Sequence, residues 1–154
     1  MEDPVLEIIN YKAEHQPWFE HLNREWIEKF FWMEPVDEKV LGNPEEHILN
    51  KGGAILMASV NKEIAGTVAL KFVNLGVYEF TKMAVAQKFR GKKVGEALAK
   101  AAIAKAKELG AHKIILYSNT VLKPAVALYQ KLGFREVPLD GPYKRSNIKM
   151  ELAV

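Results

Sequence analysis

Arg90-Gly91-Lys92-Lys93-Val94-Gly95 (RGKKVG) joins two segments of opposite period. Before it, Val77–Val85 (VYEFTKMAV) reads as a strand; after it, residues up to Leu109 read as a helix. A strand, a basic glycine-bearing turn and a helix N-terminus together form an anion cradle. The first N–H groups of a helix have no intrahelical acceptor, and the helix dipole adds partial positive charge at the same place. Arg90, Lys92 and Lys93 add full charges. The stretch predicts a docking place for a ligand that carries phosphates.

Working outward, the period alternates along the chain. Upstream, residues 54–60 and 63–73 are strand-like and meet at Asn61-Lys62 as a hairpin. A turn at Asn74-Leu75-Gly76 then leads into the strand before the cradle. Downstream, Leu98, Ala99, Ala102, Ile103, Ala106 and Leu109 lie on one helical face, and Gly110 ends the helix. Residues 112–117 (HKIILY) are an apolar strand and residues 124–132 a helix that starts at a proline. Residues 134–137 and 147–152 close the chain as strands around the loop 139–142. At the front, residues 5–11 read as a strand and 17–31 as a helix. Residues 33–42 are a short helix or loop, and Asn43-Pro44 caps a second short helix through Ile48. The order predicts an α/β (α+β) domain: a mixed sheet of six to seven strands flanked by about four helices.

Composition bounds the function classes. The chain has 154 residues, 49% hydrophobic and 27% charged, which suits one globular domain over residues 1–154. There is no cysteine, which excludes disulfides, thiol nucleophiles and thiolate-bound metals. Four scattered histidines show no metal-ligand spacing, so no metal is expected. The acidic start Met1-Glu2-Asp3-Pro4 is unlike a signal or transit peptide, and no apolar run has the length of a membrane span. The expected compartment is the cytoplasm, with no membrane partner. A net charge of +3 suits an anionic ligand and is too small to demand nucleic acid.

Several segments, in order, carry a family likeness. Glu79-Phe80-Thr81-Lys82-Met83-Ala84-Val85 resembles the fourth strand of the GNAT N-acetyltransferases. Arg90 to Gly95 resembles their acyl-CoA signature, (Gln/Arg)-x-x-Gly-x-(Gly/Ala). Tyr117-Ser118-Asn119 followed by Ala125, Leu128-Tyr129-Gln130-Lys131-Leu132-Gly133-Phe134 resembles the end of the family's domain. The likeness covers essentially the whole chain. Lys93 stands where the family's middle glycine lies, and a positive φ at that position would make lysine costly.

The resemblance implies an acetyl-CoA-dependent N-acetyltransferase, an acyltransferase moving groups other than aminoacyl groups. It implies direct attack by a primary amine, of a small molecule or a peptide, in a ternary complex. Arg90, Gly91, Lys92, Lys93, Val94 and Gly95 would hold the diphosphate of coenzyme A. The main chain of Met83, Ala84 and Val85 would pair with the pantetheine arm, and one strand N–H would polarise the carbonyl. Tyr129 falls where the family's hydroxyl faces the cofactor sulfur. A phenol of pKa about 10 and a thiol of about 8.5 make a strong hydrogen bond, rather than complete proton transfer, its role.

Glu79 lies eleven residues before Arg90, where some branches of the family carry a catalytic glutamate. A carboxylate of pKa about 4.3 faces an ammonium of about 10.4. Glu79 therefore serves an amine that arrives neutral, or relays the proton through water after attack; alternatively it only orients a cationic substrate. Asn119 either bonds the pantetheine amides or caps a turn. Trp32 and Glu34, with Asp37, either border the acceptor pocket or form a solvated acidic loop, and Tyr143, Lys144 and Arg145 form a late loop at its border. A homodimer is within what the resemblance implies.

Two other function classes fit parts of the chain. A noncatalytic acyl-CoA sensor would share the cradle without turnover. A nucleic-acid binder would use the cradle with Lys100, Lys105 and Lys107, but no aromatic residues interleave those lysines for base stacking. A P-loop is absent by motif.

Overall fold

A computed structural model describes residues 5–141 and 143–154; the acidic start Met1–Pro4 and Pro142 of the late loop lie outside the described residues. Seven strands form one mixed sheet: β1 (Leu6–Asn10), β2 (Ala54–Val60), β3 (Glu63–Asn74), β4 (Val77–Val85), β5 (Lys113–Ser118), β6 (Arg135–Val137) and β7 (Ile148–Ala153). Their order across the sheet is β1-β2-β3-β4-β5-β7-β6. Every neighbouring pair is antiparallel except β4 and β5, which run parallel. A parallel pair requires a crossover, and α4 (Val94–Glu108) supplies it.

Alternation along the central strands sorts side chains onto two cores. Leu56 and Ala58 face one side of the sheet and Ile55 and Met57 the other. The first core packs beneath α4, through Leu98, Ala99, Ala102 and Ala106, and beneath α5 (Lys123–Lys131), through Tyr129. The second packs beneath α1 (Gln16–Phe30) and α2 (Pro35–Gly42), through Phe19, Ile27, Val40 and Leu41. The one-turn helix α3 (Pro44–His47) follows, its first turn closed by Asn43 Oδ1 accepting from the Glu46 N–H at 3.3 Å.

Most elements follow their sequence signals. Asn61 and Lys62 both have positive φ, +50° and +69°, the pairing a two-residue hairpin turn of matching twist requires. Residues 35–42, readable as helix or loop, form a helix. Its N-terminus is closed by Asp37 Oδ2, which accepts from the Glu34 N–H at 3.0 Å. Among the described residues there are five α-helices, one more than the four or so expected, because residues 35–42 form a helix rather than a loop. No helix among them is long and apolar enough to cross a membrane.

Candidate active site

The site begins with an irregularity in β4. Its partners on β3 are Thr81 for Ala69 and Ala84 for Thr67, so three steps on β4 oppose two on β3. Lys82 takes up the extra residue, with φ at +56°. One inserted residue reverses the alternation. Tyr78 and Phe80 face the α4/α5 core, and beyond the bulge Met83 and Val85 face that same side. Lys82 is turned instead toward α2, where its ammonium meets Asp37 at 2.8 Å. A non-glycine residue in this left-handed conformation costs roughly 1–2 kcal/mol, and the buried ion pair holds it there.

Past the bulge β4 leaves β5. The parallel ladder pairs Val77–Phe80 with residues 113–116 and stops at Phe80 and Leu116. The edge of β4 from Thr81 to Val85 that faces β5 is therefore unpaired. A cleft of about 670 Å³ opens along this edge. Met83, Ala84 and Val85 form one wall, and Arg90, Gly91, Lys93, Val94 and Gly95 close one end. Pro124, Ala125 and Tyr129 of α5 lie opposite, with Trp26 and Phe30 of α1 beside them.

The cradle end presents free helix N–H groups and basic side chains. No side chain caps α4, and the first intrahelical bond to its start is from the Ala97 N–H to the Lys93 carbonyl. The N–H groups of Val94, Gly95 and Glu96 are thus left without helical acceptors. Gly91, at φ +77°, and Lys93, at φ +64°, both take left-handed angles to swing the chain into the helix. Lys93 therefore carries the strain that a glycine there would avoid. Gly95 has ordinary angles, and a Cβ added to it would lie 3.8 Å from Val85 Cγ2, which matches a motif that accepts Gly or Ala. Arg90 is folded back: its Nε donates to the Val85 carbonyl at 3.3 Å, and its guanidinium lies 5.2 Å from the Trp26 ring centre. Lys92 is exposed.

A second, smaller cavity of about 100 Å³ lies on the other side of the bulge. Glu79, Thr81 and Lys82 of β4, Tyr117 of β5 and Tyr143 and Arg145 of the late loop line it. Glu79 is 4% exposed, and its Oε2 accepts a 2.8 Å hydrogen bond from the Tyr143 hydroxyl. Burial pushes its carboxyl above the usual glutamate range, opposed by the Tyr143 hydrogen bond and by the charges of Lys71 and Lys82. Beside it sits a four-membered ionic cluster. Asp37, fully buried, bonds both Lys82 and Arg145, and Arg145 also bonds Glu34 at 2.8 Å. Two acids and two bases balance one another there. Burial pushes the Asp37 carboxyl up, but the Arg145 and Lys82 contacts outweigh it and hold it at about 2. Burial lowers the Lys82 ammonium, with Asp37 opposing. Glu79 is the acid left over: among the described residues no cation lies within ion-pair distance of it.

Cleft and cavity meet at four residues that line both: Trp26, Met83, Leu122 and Tyr129. The Tyr129 ring is wedged against Phe80 and Phe134, with centroids 5.6 and 6.0 Å away. Burial raises its hydroxyl above the ordinary phenol value, so it stays protonated and available as a donor. Among the described residues the hydroxyl has no hydrogen-bond partner, and Tyr129 lines both spaces.

The structure thus brings together Met83, Ala84, Val85, Arg90, Gly91, Lys93, Val94, Gly95, Tyr129 and Glu79 around two adjoining spaces. It does not bring Trp32 there; that side chain is 59% exposed and lines neither cavity. Glu34 is buried but reaches the cavity only through Arg145. Asn119 lines the smaller cavity with both polar ends engaged: Nδ2 donates to the Arg145 carbonyl at 2.8 Å and Oδ1 accepts from the Val121 N–H at 3.0 Å. Sequence reasoning did not single out Lys82, Trp26 or Leu122. A lysine inside a central strand was the available signal for the first.

The model of the acetyltransferase (GNAT) family matches residues 10–134. A stretch of 63 residues is 40% identical to the mycothiol acetyltransferase of Pseudarthrobacter chlorophenolicus; it covers 39% of this chain and 20% of that protein. The match therefore spans about a fifth of that relative's length. A GNAT-family acetyltransferase from Staphylococcus aureus Mu50 superposes with a TM-score of 0.87 at 23% identity, over 97% of this chain and 99% of that one. The PaiA N-acetyltransferase of Thermoplasma acidophilum, solved in complex with coenzyme A, superposes with a TM-score of 0.76 at 21% identity, over 97% and 99%. These two likenesses bear on the fold. The family model spans most of the sheet, the bulged fourth strand and the cradle, and on that match the chain belongs to the GNAT acetyltransferase family.

Proposed function

We propose that residues 1–154 act as one acetyl-CoA-dependent N-acetyltransferase domain, moving an acetyl group to a primary amine of a small molecule or peptide in a ternary complex. The observation that carries this reading is the meeting of cleft and cavity at Met83 and Tyr129, with an unbalanced carboxylate, Glu79, on the cavity wall. The cleft suits coenzyme A in its donor set. Uncapped N–H groups of α4 with Lys92 and Lys93 offer positive charge to a diphosphate, and the unpaired edge of Met83–Val85 offers main-chain partners to an amide-bearing arm. Acetyl-CoA would supply an acyl group activated as a thioester.

The chain's own residues account for the rest. A backbone N–H on the splayed edge polarises the acyl carbonyl; loss of one such donor typically costs about 3 kcal/mol in the transition state. Glu79, the acid left over beside the balanced cluster, faces the amine; the amine arrives neutral, or Glu79 relays its proton through water after attack. The raised carboxyl narrows the gap to the ammonium. Tyr129 holds its proton on Oη and offers it as a hydrogen bond to the departing sulfur. The same direction of shift that keeps it protonated disfavours complete transfer.

The test is thiol release from acetyl-CoA across a panel of amines, amino acids, polyamines and peptides. Acceptor-dependent release is expected for at least one class. Binding of coenzyme A with no release for any acceptor identifies a sensor instead.

A further inference from the structure

The late loop after β6 places Tyr143 against Glu79 from 64 residues away in sequence, and nothing in the strand pattern requires this. Its hydroxyl donates to Glu79 Oε2 at 2.8 Å. The ring meets Tyr117 edge to face, with centres 5.4 Å apart, and the Lys82 ammonium lies 5.3 Å from its centre. The loop itself is fastened two residues later, where Arg145 bonds Asp37 and Glu34 at the start of α2. Asn119 Nδ2 bonds the Arg145 carbonyl as well.

We infer that Tyr143 is a positioning residue for Glu79: it holds one carboxylate oxygen and keeps the group ionised, leaving the other oxygen for the amine. This rests on Glu79 acting as the proton acceptor. A donor with no tendency to ionise suits the task. Burial, then the Glu79 charge, push the Tyr143 hydroxyl well above the ordinary phenol value, so it donates at every working pH. The other groups facing Glu79 are Lys71 from β3, Thr81 and Lys82 from β4, Tyr117 from β5 and Arg145 from the late loop. The wall contributed by α1 is uncharged, formed by Asn23, Trp26 and Ile27. Arg145 and Lys82 are engaged by Asp37, so Tyr143 is the nearest group that stabilises the anion by a direct bond from outside β4.

The experiment is a pH profile of kcat/KM. Tyr143→Phe keeps the ring and removes the donor. The alkaline-rising limb should then move up by about one pH unit, the size of one charge-assisted hydrogen bond. The KM for acetyl-CoA should hold, because Tyr143 does not line the cleft. Tyr143→3-fluorotyrosine, a stronger donor of nearly the same shape, should move the limb the other way, and it serves if the Phe variant fails to fold. Glu79→Gln should abolish the limb. If Glu79→Gln abolishes it while both Tyr143 variants leave it in place, the positioning role is overturned and the base survives. If Glu79→Gln leaves the limb unchanged, the base reading falls and the positioning role falls with it.

Discussion

Asp37→Asn is the perturbation with the largest expected effect on stability. Asp37 is fully buried and bonds Lys82 at 2.8 Å and the Arg145 Nη2 at 2.9 Å. Two estimates bound the cost. The carboxyl is held at about 2 against an ordinary value of 3.8, a difference that corresponds to about 2 kcal/mol of stability at neutral pH. Removing one member of a buried pair also strands the other, and such losses run about 3–5 kcal/mol. Here Lys82 is stranded while Arg145 keeps Glu34, so a loss within that range applies, with a fall in Tm on the order of 10 °C for a domain of this size. The pH dependence has a definite sign. A carboxyl whose folded pKa is depressed contributes fully above its unfolded value and loses that contribution as pH falls through the folded one. The gap between parent and variant should therefore be full at pH 7 and narrow between about pH 4 and pH 2. Urea unfolding followed by circular dichroism at pH 7, 4 and 3 measures it. Lys82→Met should cost less than Asp37→Asn, because Arg145 still neutralises Asp37. A variant within about 1 kcal/mol of the parent at pH 7 would refute the view that this cluster fastens the late loop and the bulge to α2.

Further expectations concern the cradle and the junction. Lys93→Gly removes the strain of φ +64° and should raise stability, by at most about 1 kcal/mol after the entropy of glycine is counted; a lower urea midpoint would contradict the assigned backbone. Lys92→Glu, exposed and bonded to nothing else among the described residues, should leave Tm unchanged and weaken coenzyme A binding several-fold, an effect that added salt should shrink. Tyr129→Phe should lower kcat with little change in the KM for acetyl-CoA; an unchanged kcat would remove its role at the sulfur.

Much of this architecture can be read from the chain, and the unread parts have physical causes. The cradle was legible because it is local: a strand, a turn and a helix start within 20 residues. The closing helix was legible for the same reason, with Pro124 at its start and Gly133 after its end. The bulge was not. VYEFTKMAV alternates well enough to pass for an unbroken strand, and only the register against β3 reveals the extra residue at Lys82. Pairings such as Asp37 with Arg145, 108 residues apart, carry no local signal at all. Trp32 was selected as an aromatic beside acids, yet those acids turn inward to Arg145 while the indole stays in solvent. Asn119 had two readings, and its contacts make it a fastener of the late loop.

The central claim is that the cleft beside the splayed end of β4 holds coenzyme A with its sulfur at Tyr129. Titration calorimetry of the purified protein with acetyl-CoA tests it most directly, alongside a pantetheine fragment that lacks the diphosphate. Saturable one-to-one heat is predicted for acetyl-CoA, with much weaker binding of the fragment. No heat with acetyl-CoA, or equal affinity for the fragment, would contradict the account.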